Sequence, residues 1–488
     1  MKVNNHLNKA VVIMLVLVLG TNILLAQDKG HRGMGPGMSG MMPGAGMMRP
    51  GPGMMPGMFG SKVESSQLHL DAAMSHPVML ADTNGTAYLR VGLTGFALED
   101  AGQRTPVNIA IVIDKSGSMS GEKIKKAREA AIMAIERLNA NDIISVVTYD
   151  STVHVLIPAT KVSDKEGIFR KIRQVEADGS TALFAGVSKG AAEMRKFLAK
   201  ERVNRLVLLS DGLANVGPDS PGELGDLGCS LIKEGISVTT IGLGGGYNED
   251  LMTKLAYKSD GSHYFAENAN DLARVFNSEI GQALSVVAQE IQTEIICAPG
   301  IRPVRLLGRE GQINGQQVLV FINHLYSEHE KYIILEVETP ASEAGVTRAV
   351  ATVNVSYGNM KTHTTDKLSS SLEVKFSNSK ELIEKLTNGN VMVDVVELIA
   401  TERNELAMRL RDQGKIKEAH KLLISNIDYL GENYKKFDSI KKSERLNEYQ
   451  YLNTTDAENL DEQSWGVQRK RMQESQFQNR SQQVETQK

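Results

Sequence analysis

Between residues 107 and 285, short apolar runs alternate with segments whose apolar positions recur every three or four residues. This is the pattern of a mostly parallel sheet covered by helices on both faces. Val107 to Ile113 is apolar apart from Asn108, as a central strand should be, and the next stretch, Glu122 to Leu138, sets Ile124, Ala127, Ala131, Ile132 and Ile135 on one helical face. Further strands are expected at Ile143 to Tyr149, Val153 to Pro158, Arg205 to Leu209, Ser237 to Leu243 and His263 to Phe265, and a helix over Asp271 to Leu284 closes the unit.

The flanks have other periods. Residues 63–106 hold short β-like runs at Pro77 to Leu80 and Ala87 to Leu93, with Asn84-Gly85 between them as a hairpin signal. β-branched runs return in residues 286–378, at Gln289 to Cys297, Val318 to Ile322, Tyr332 to Glu338 and Ala349 to Val355, as in a sandwich. Both β segments are expected to fold together around the inserted α/β unit. In residues 379–452 the spacing becomes helical, with Gly414 breaking the run into a helical hairpin. The stretch AMRLRDQGKIKEAHKLL resembles one tetratricopeptide unit, too little for a solenoid. Residues 453–488 are rich in Gln, Glu and Arg and poor in apolar side chains, so they are expected to be a mobile tail with Trp465 as an isolated anchor.

The N-terminus is different again. Lys2 and Lys9 precede an apolar run from Ala10 to Leu25 that ends at Ala26, which reads as an export signal over residues 1–26. The run falls short of the roughly 20 apolar residues of a membrane span. No span is therefore expected in the mature chain, whose place would be the periplasm, the cell envelope or the extracellular space. Residues 27–62 read as a Gly-, Met- and Pro-rich disordered linker without collagen's period. Its methionines, Met34 to Met58, raise a copper-handling alternative because thioether sulfur suits Cu(I); a passive spacer needs no such assumption.

At 488 residues with 41% hydrophobic and 23% charged side chains, the chain can fill two or three cores, and a net charge of -3 offers no cationic field for nucleic acid. Cys229 and Cys297 are the only cysteines, too few for a disulfide framework, and their spacing leaves their pairing open.

In open α/β sheets, ligands bind beyond the carboxyl ends of the strands. The first strand ends there in Asp114-Lys115-Ser116-Gly117-Ser118, one carboxylate and two hydroxyls at alternating positions in a loop turned by glycine. Such oxygens suit a small hard cation. Asp-x-Ser-x-Ser after a buried strand resembles the metal-ion-dependent adhesion site of von Willebrand factor type A domains. The resemblance implies a Rossmann-like domain, two further ligands, Thr181 in DGSTAL and Asp211 in LLSDG, and a last helix that shifts when ligand is engaged. It extends to GLGGGYNEDLM and GSHYFAE and covers residues 107–285, in an architecture like that of bacterial exported proteins of this family and inter-alpha-trypsin inhibitor heavy chains.

The implied ion is Mg²⁺, with Ca²⁺ or Mn²⁺ suited to the same donors. The implied partner is a protein offering an Asp or Glu carboxylate, so the expected function is metal-dependent protein–protein interaction or adhesion. An assembly or chaperone-like role in an envelope complex is the alternative. Catalysis is not expected, since no nucleophile elbow and no His-Glu-x-x-His occur, and His154 and His263 lie in strand-like text. The glycine run at Gly244 reads as a turn because Tyr247 replaces the last glycine of a dinucleotide loop.

Overall fold

The computed structural model describes residues 61–65, 67–98 and 104–483. The expected export signal and nearly all of the 27–62 linker lie outside the described residues. Ser61 and Lys62, assigned to that linker, instead open a strand, β1 (Ser61–Glu64), paired with Ala72 and Asp71.

Every residue of β5 (Val107–Asp114) is buried, as is every residue of the two strands beside it. With β6 (Ile143–Tyr149), β7 (Val153–Lys161), β8 (Val203–Ser210), β9 (Ile236–Leu243) and β10 (His263–Ala266) it makes a sheet in the order β10-β9-β8-β5-β6-β7. All neighbours are parallel except β7, which runs antiparallel to β6. Burial on both faces explains the continuous apolar runs. One face packs under α1 (Glu122–Glu136), α2 (Lys165–Arg173) and α6 (Asp271–Leu284), through Ala127, Ile172 and Phe276. The other packs under α3 (Leu183–Met194), α4 (Pro221–Lys233) and α5 (Glu249–Lys258), through Val187, Leu224 and Leu255. Helix starts follow local chemistry: Ser220 and Glu223 form a capping box ahead of Pro221, and Asn248 caps α5.

The chain before β5 and after α6 forms one two-sheet sandwich, so the α/β unit is an insertion. The remaining strands are β2 (Leu68–Met74), β3 (Val78–Leu80), β4 (Gly85–Gly95), β11 (Val286–Cys297), β12 (Arg302–Leu307), β13 (Gln312–Asn314), β14 (Gln317–Tyr326), β15 (Glu330–Thr339), β16 (Thr347–Asn359) and β17 (Thr365–Ser377). They pair as β1-β2-β4-β15-β12 and β13-β14-β11-β16-β17-β3. The Asn84-Gly85 hairpin does not form. β3 joins β17 in one sheet, while β4 joins β2 and β15 in the other. The turn crosses the sandwich because the full length of β4 is paired with β15 from Gly85 to Thr94, which a three-residue β3 cannot match. Cys229 and Cys297 are both free thiols.

The helical part is larger than a hairpin. After a short α7 (Lys380–Lys385), α8 (Gly389–Asp412) and α9 (Ile416–Lys436) turn about Gly414, at φ +76°. Two more helices follow, α10 (Glu444–Glu458) and α11 (Trp465–Ser481); the end of the first, from Asn453, and the whole of the second lie where a mobile tail was expected. α11 carries few apolar side chains, but Met472 is buried against Ala407 and Leu423, and its basic residues meet acids of the α/β unit. Arg469 pairs with Glu249, Asp250 and Asp412, Lys470 with Glu249, and Arg471 with Glu267. Trp465 is one anchor among several, its indole N–H donating to Asp412 Oδ1 at 3.0 Å. Among the described residues no helix is long and apolar enough to cross a membrane.

Candidate metal centre

β5 delivers Asp114 to the carboxyl edge of the sheet, where the chain turns back on itself. The Ser116 N–H donates to Asp114 Oδ1 at 2.8 Å, closing an Asx-type turn that fixes the carboxylate. Two backbone bonds tie this loop to the one ahead of α3: Gly117 N–H to Gly179 O at 3.0 Å, and Asp178 N–H to Lys115 O at 2.6 Å. Gly179 adopts φ +82°, and a Cβ there would lie 3.1 Å from that of Asp150, so the approach needs glycine.

Asp150 organises the same corner. It pairs with Lys115 and accepts from Thr152 N–H at 2.7 Å, while its carbonyl receives Ala182 N–H at 2.8 Å, just past Thr181. Burial would raise the Asp150 carboxyl, but Lys115 and Thr152 outweigh it and hold the group below its ordinary range.

β8 delivers Ser210 and Asp211 beside Asp114. Ser210 Oγ donates to Asp114 Oδ2 at 2.7 Å, Ser118 Oγ donates to Asp211 Oδ1 at 2.6 Å, and the Ser116 and Ser118 hydroxyls lie 3.0 Å apart. Lys123, near the start of α1, pairs with Asp211 Oδ2. The second and third loops are cross-linked: Thr181 N–H donates to Asn215 Oδ1 at 2.9 Å, and Asn215 N–H returns to Thr181 O at 3.2 Å. A Cβ at Gly212 would sit 3.3 Å from Thr181 Oγ1 and 3.4 Å from Ser118 Oγ. Both hydroxyls therefore face one small space that glycine leaves open.

The structure thus brings Asp114, Ser116, Ser118, Thr181 and Asp211 together, from three loops at one sheet edge. Ser210, Lys123, Asp150 and Asn215 were not singled out in the sequence. Ser210 had a signal in its place directly before Asp211; the others act through contacts 34 to 88 residues away, which no local pattern carries.

Burial pushes the Asp114 carboxyl above its ordinary range, the hydrogen bonds of Ser116 and Ser210 work against that shift, and Asp211 adds to it. Among the described residues Asp114 forms no ion pair, and the groups that bond its carboxylate donate hydroxyl and amide hydrogens. Among the described residues no three His, Cys, Asp or Glu side chains gather as a ligand cluster. The donor set here is two carboxylates plus hydroxyl oxygens, which fits a hard cation such as Mg²⁺ rather than a soft metal. His263 is buried against Thr240 at 2.8 Å, and burial lowers its pKa to about 3. His154 stands on β7 beside Thr152, and neither histidine bonds Ser116 or Ser118.

Comparison with known proteins bears on the domain and its fold. The family model for the von Willebrand factor type A domain matches residues 108–294. The chain is 30% identical over 206 residues to the uncharacterized protein YfbK of Escherichia coli (strain K12), covering 42% of this chain and 36% of that one. It is 26% identical over 165 residues to inter-alpha-trypsin inhibitor heavy chain H3 of Homo sapiens, covering 32% and 18%. The chain therefore spans little more than a third of the first of these relatives and less of the second. Among solved structures, a von Willebrand factor type A protein from Catenulispora acidiphila superposes with TM-score 0.64 at 16% identity, covering 78% of this chain and 90% of that one. The ArnB paralog VWA2 from Sulfolobus acidocaldarius gives 0.57 at 16% identity, covering 85% and 98%. At such identities these two likenesses speak for the fold alone.

Proposed function

Because the chain carries a von Willebrand factor type A domain, matched over residues 108–294, we propose that it binds a partner protein through a divalent cation held by Asp114, Ser116, Ser118, Thr181 and Asp211. Domains of this family are generally interaction or adhesion modules. The observation that carries the finer reading is the buried, cation-poor Asp114 carboxylate, set among hydroxyls that converge on one small space.

Each residue has a stated part. Asp114 is oriented by Ser116 N–H and Ser210, so its carboxylate is fixed before any ligand arrives. Ser116, Ser118 and Thr181 offer neutral oxygens, and Asp211 brings the second negative charge from β8. The loop ties through Gly117, Asp178, Ala182 and Asn215 hold the three loops together, so little ordering entropy is lost on binding. These oxygens would hold a hard cation, Mg²⁺ or in its place Ca²⁺ or Mn²⁺, which would supply the positive charge that attracts an Asp or Glu carboxylate of the partner. The exposed Leu213 and Val216, on the loop after Asp211, give that partner an apolar rim to lie against.

Export to the periplasm, envelope or exterior belongs to the same proposal. The test is capture from the native envelope in Mg²⁺ and in EDTA, with wild-type protein and Asp211→Ala. A partner retained only by wild type in Mg²⁺ is expected; capture unchanged in Asp211→Ala or in EDTA contradicts the reading.

A further inference from the structure

Among the described residues, Lys123 is the cation that forms an ion pair with a carboxylate of the site. Its ammonium meets Asp211 Oδ2, while Ser118 donates to Oδ1 of the same carboxylate. The Asp211 side chain is fully enclosed, whereas that of Lys123 is 38% exposed. Asp114, beside Asp211, has hydroxyl and amide donors only.

The position of Lys123 is unfavourable for a lysine on local grounds. It is the second residue of α1, where the unsatisfied N–H groups of the first turn repel a cation. Gly121, the N-cap residue, offers no side-chain acceptor to those groups. A lysine there costs helix stability unless an acid elsewhere compensates it, and the acid is Asp211.

We propose that Lys123 is a resident counter-cation of the site, which competes with a divalent ion for Asp211 and so sets both the metal affinity and the stability of the metal-free chain. The inference rests on the metal reading given above. Lysine suits the role because its compact, strongly hydrated ammonium rides on a flexible stem, and an exposed stem can swing into water when a stronger cation arrives. Ligand binding at the site is thereby an exchange of cations, with the two carboxylates never left wholly uncompensated.

The consequences separate from those of an ordinary surface ion pair. Removing one positive charge from within a few ångströms of a doubly charged ion tightens binding on the order of tenfold in a solvent-touched setting. The same change leaves Asp211 and Asp114 uncompensated in the metal-free chain. Magnesium chloride is therefore titrated calorimetrically into metal-stripped wild type, Lys123→Met and Lys123→Arg, and metal-free melts are run in parallel. Lys123→Met is expected to bind Mg²⁺ at least fivefold tighter and to melt lower when metal-free, with Lys123→Arg close to wild type in both. Lys123 sits at an exposed helix start, so circular dichroism checks that both variants keep the fold. Equal or weaker Mg²⁺ binding by Lys123→Met, with wild type binding, overturns the competition alone. No Mg²⁺ binding by wild type or either variant overturns the metal reading, and the competition with it.

Discussion

Arg205 lies on β8, the strand that leads into Asp211, and it is wholly buried where the α/β unit meets the sandwich. Its guanidinium donates to Glu279 on α6 at 2.9 Å, to Thr239 at 3.1 Å and to Tyr326 on β14 at 2.9 Å, with His324 at 3.2 Å. Burial first and Arg205 second push the His324 imidazole well below its ordinary range. Replacing Arg205 with Met leaves the Glu279 carboxylate buried with Thr239 at 2.7 Å and Tyr264 at 3.4 Å as its donors. Breaking one partner of such a pair costs about 3–5 kcal/mol.

The sign of the pH dependence distinguishes this account from simple loss of packing. An orphaned buried carboxyl has a raised folded pKa, so its protonated form is favoured in the fold. Stability of Arg205→Met is therefore best at low pH and falls as pH rises, by about 1.4 kcal/mol per unit until the folded pKa is passed. Glu279→Gln leaves a guanidinium that cannot shed its proton, and its loss is flat in pH. Urea unfolding followed by circular dichroism at pH 5, 6.5 and 8 reads both. A loss below about 1 kcal/mol in Arg205→Met, or one that does not shrink at pH 5, refutes the reasoning.

Lys470→Met strips a buried partner from Glu249 and loosens α11 from α5, so amide exchange over Trp465–Ser481 should speed up at least tenfold while that of β5 is unchanged. The Asp456 carboxylate accepts from Asn404 and Gln468, and burial raises it from 3.8 to about 6. Its contribution is most favourable below pH 4 and is lost as pH rises through 6, up to about 3 kcal/mol; Asp456→Asn should flatten that part of the melting profile. Gly212→Val fills the space between Thr181 and Ser118, so Mg²⁺ should no longer raise its melting temperature, although the metal-free protein melts near wild type.

The central strands of the α/β unit were legible because they are buried and mainly apolar, and β6 and α6 match their expected ends residue for residue. Asp114, Ser116 and Ser118 were legible because they sit directly after such a run, while Thr181 and Asp211 came from the family resemblance that this loop carries. The partners that hold them in place, Lys123, Asp150 and Asn215, were not, since each contact spans loops far apart in sequence. β3 misled for a related reason: Asn84-Gly85 marks a turn but does not say which sheet each arm enters. α11 was missed because its stability comes from acids on α5 and β10's flank, some 200 residues earlier, rather than from an apolar stripe of its own. Composition weighs apolar side chains and cannot see such pairing.

Crystals of the protein soaked in Mn²⁺ and measured for anomalous scattering put the central claim to the most direct trial. The account expects one peak enclosed by the oxygens of Asp114, Ser116, Ser118, Thr181 and Asp211, lost in Asp114→Ala. Strong Mn²⁺ density elsewhere with none at the edge of β5 and β8 would contradict it.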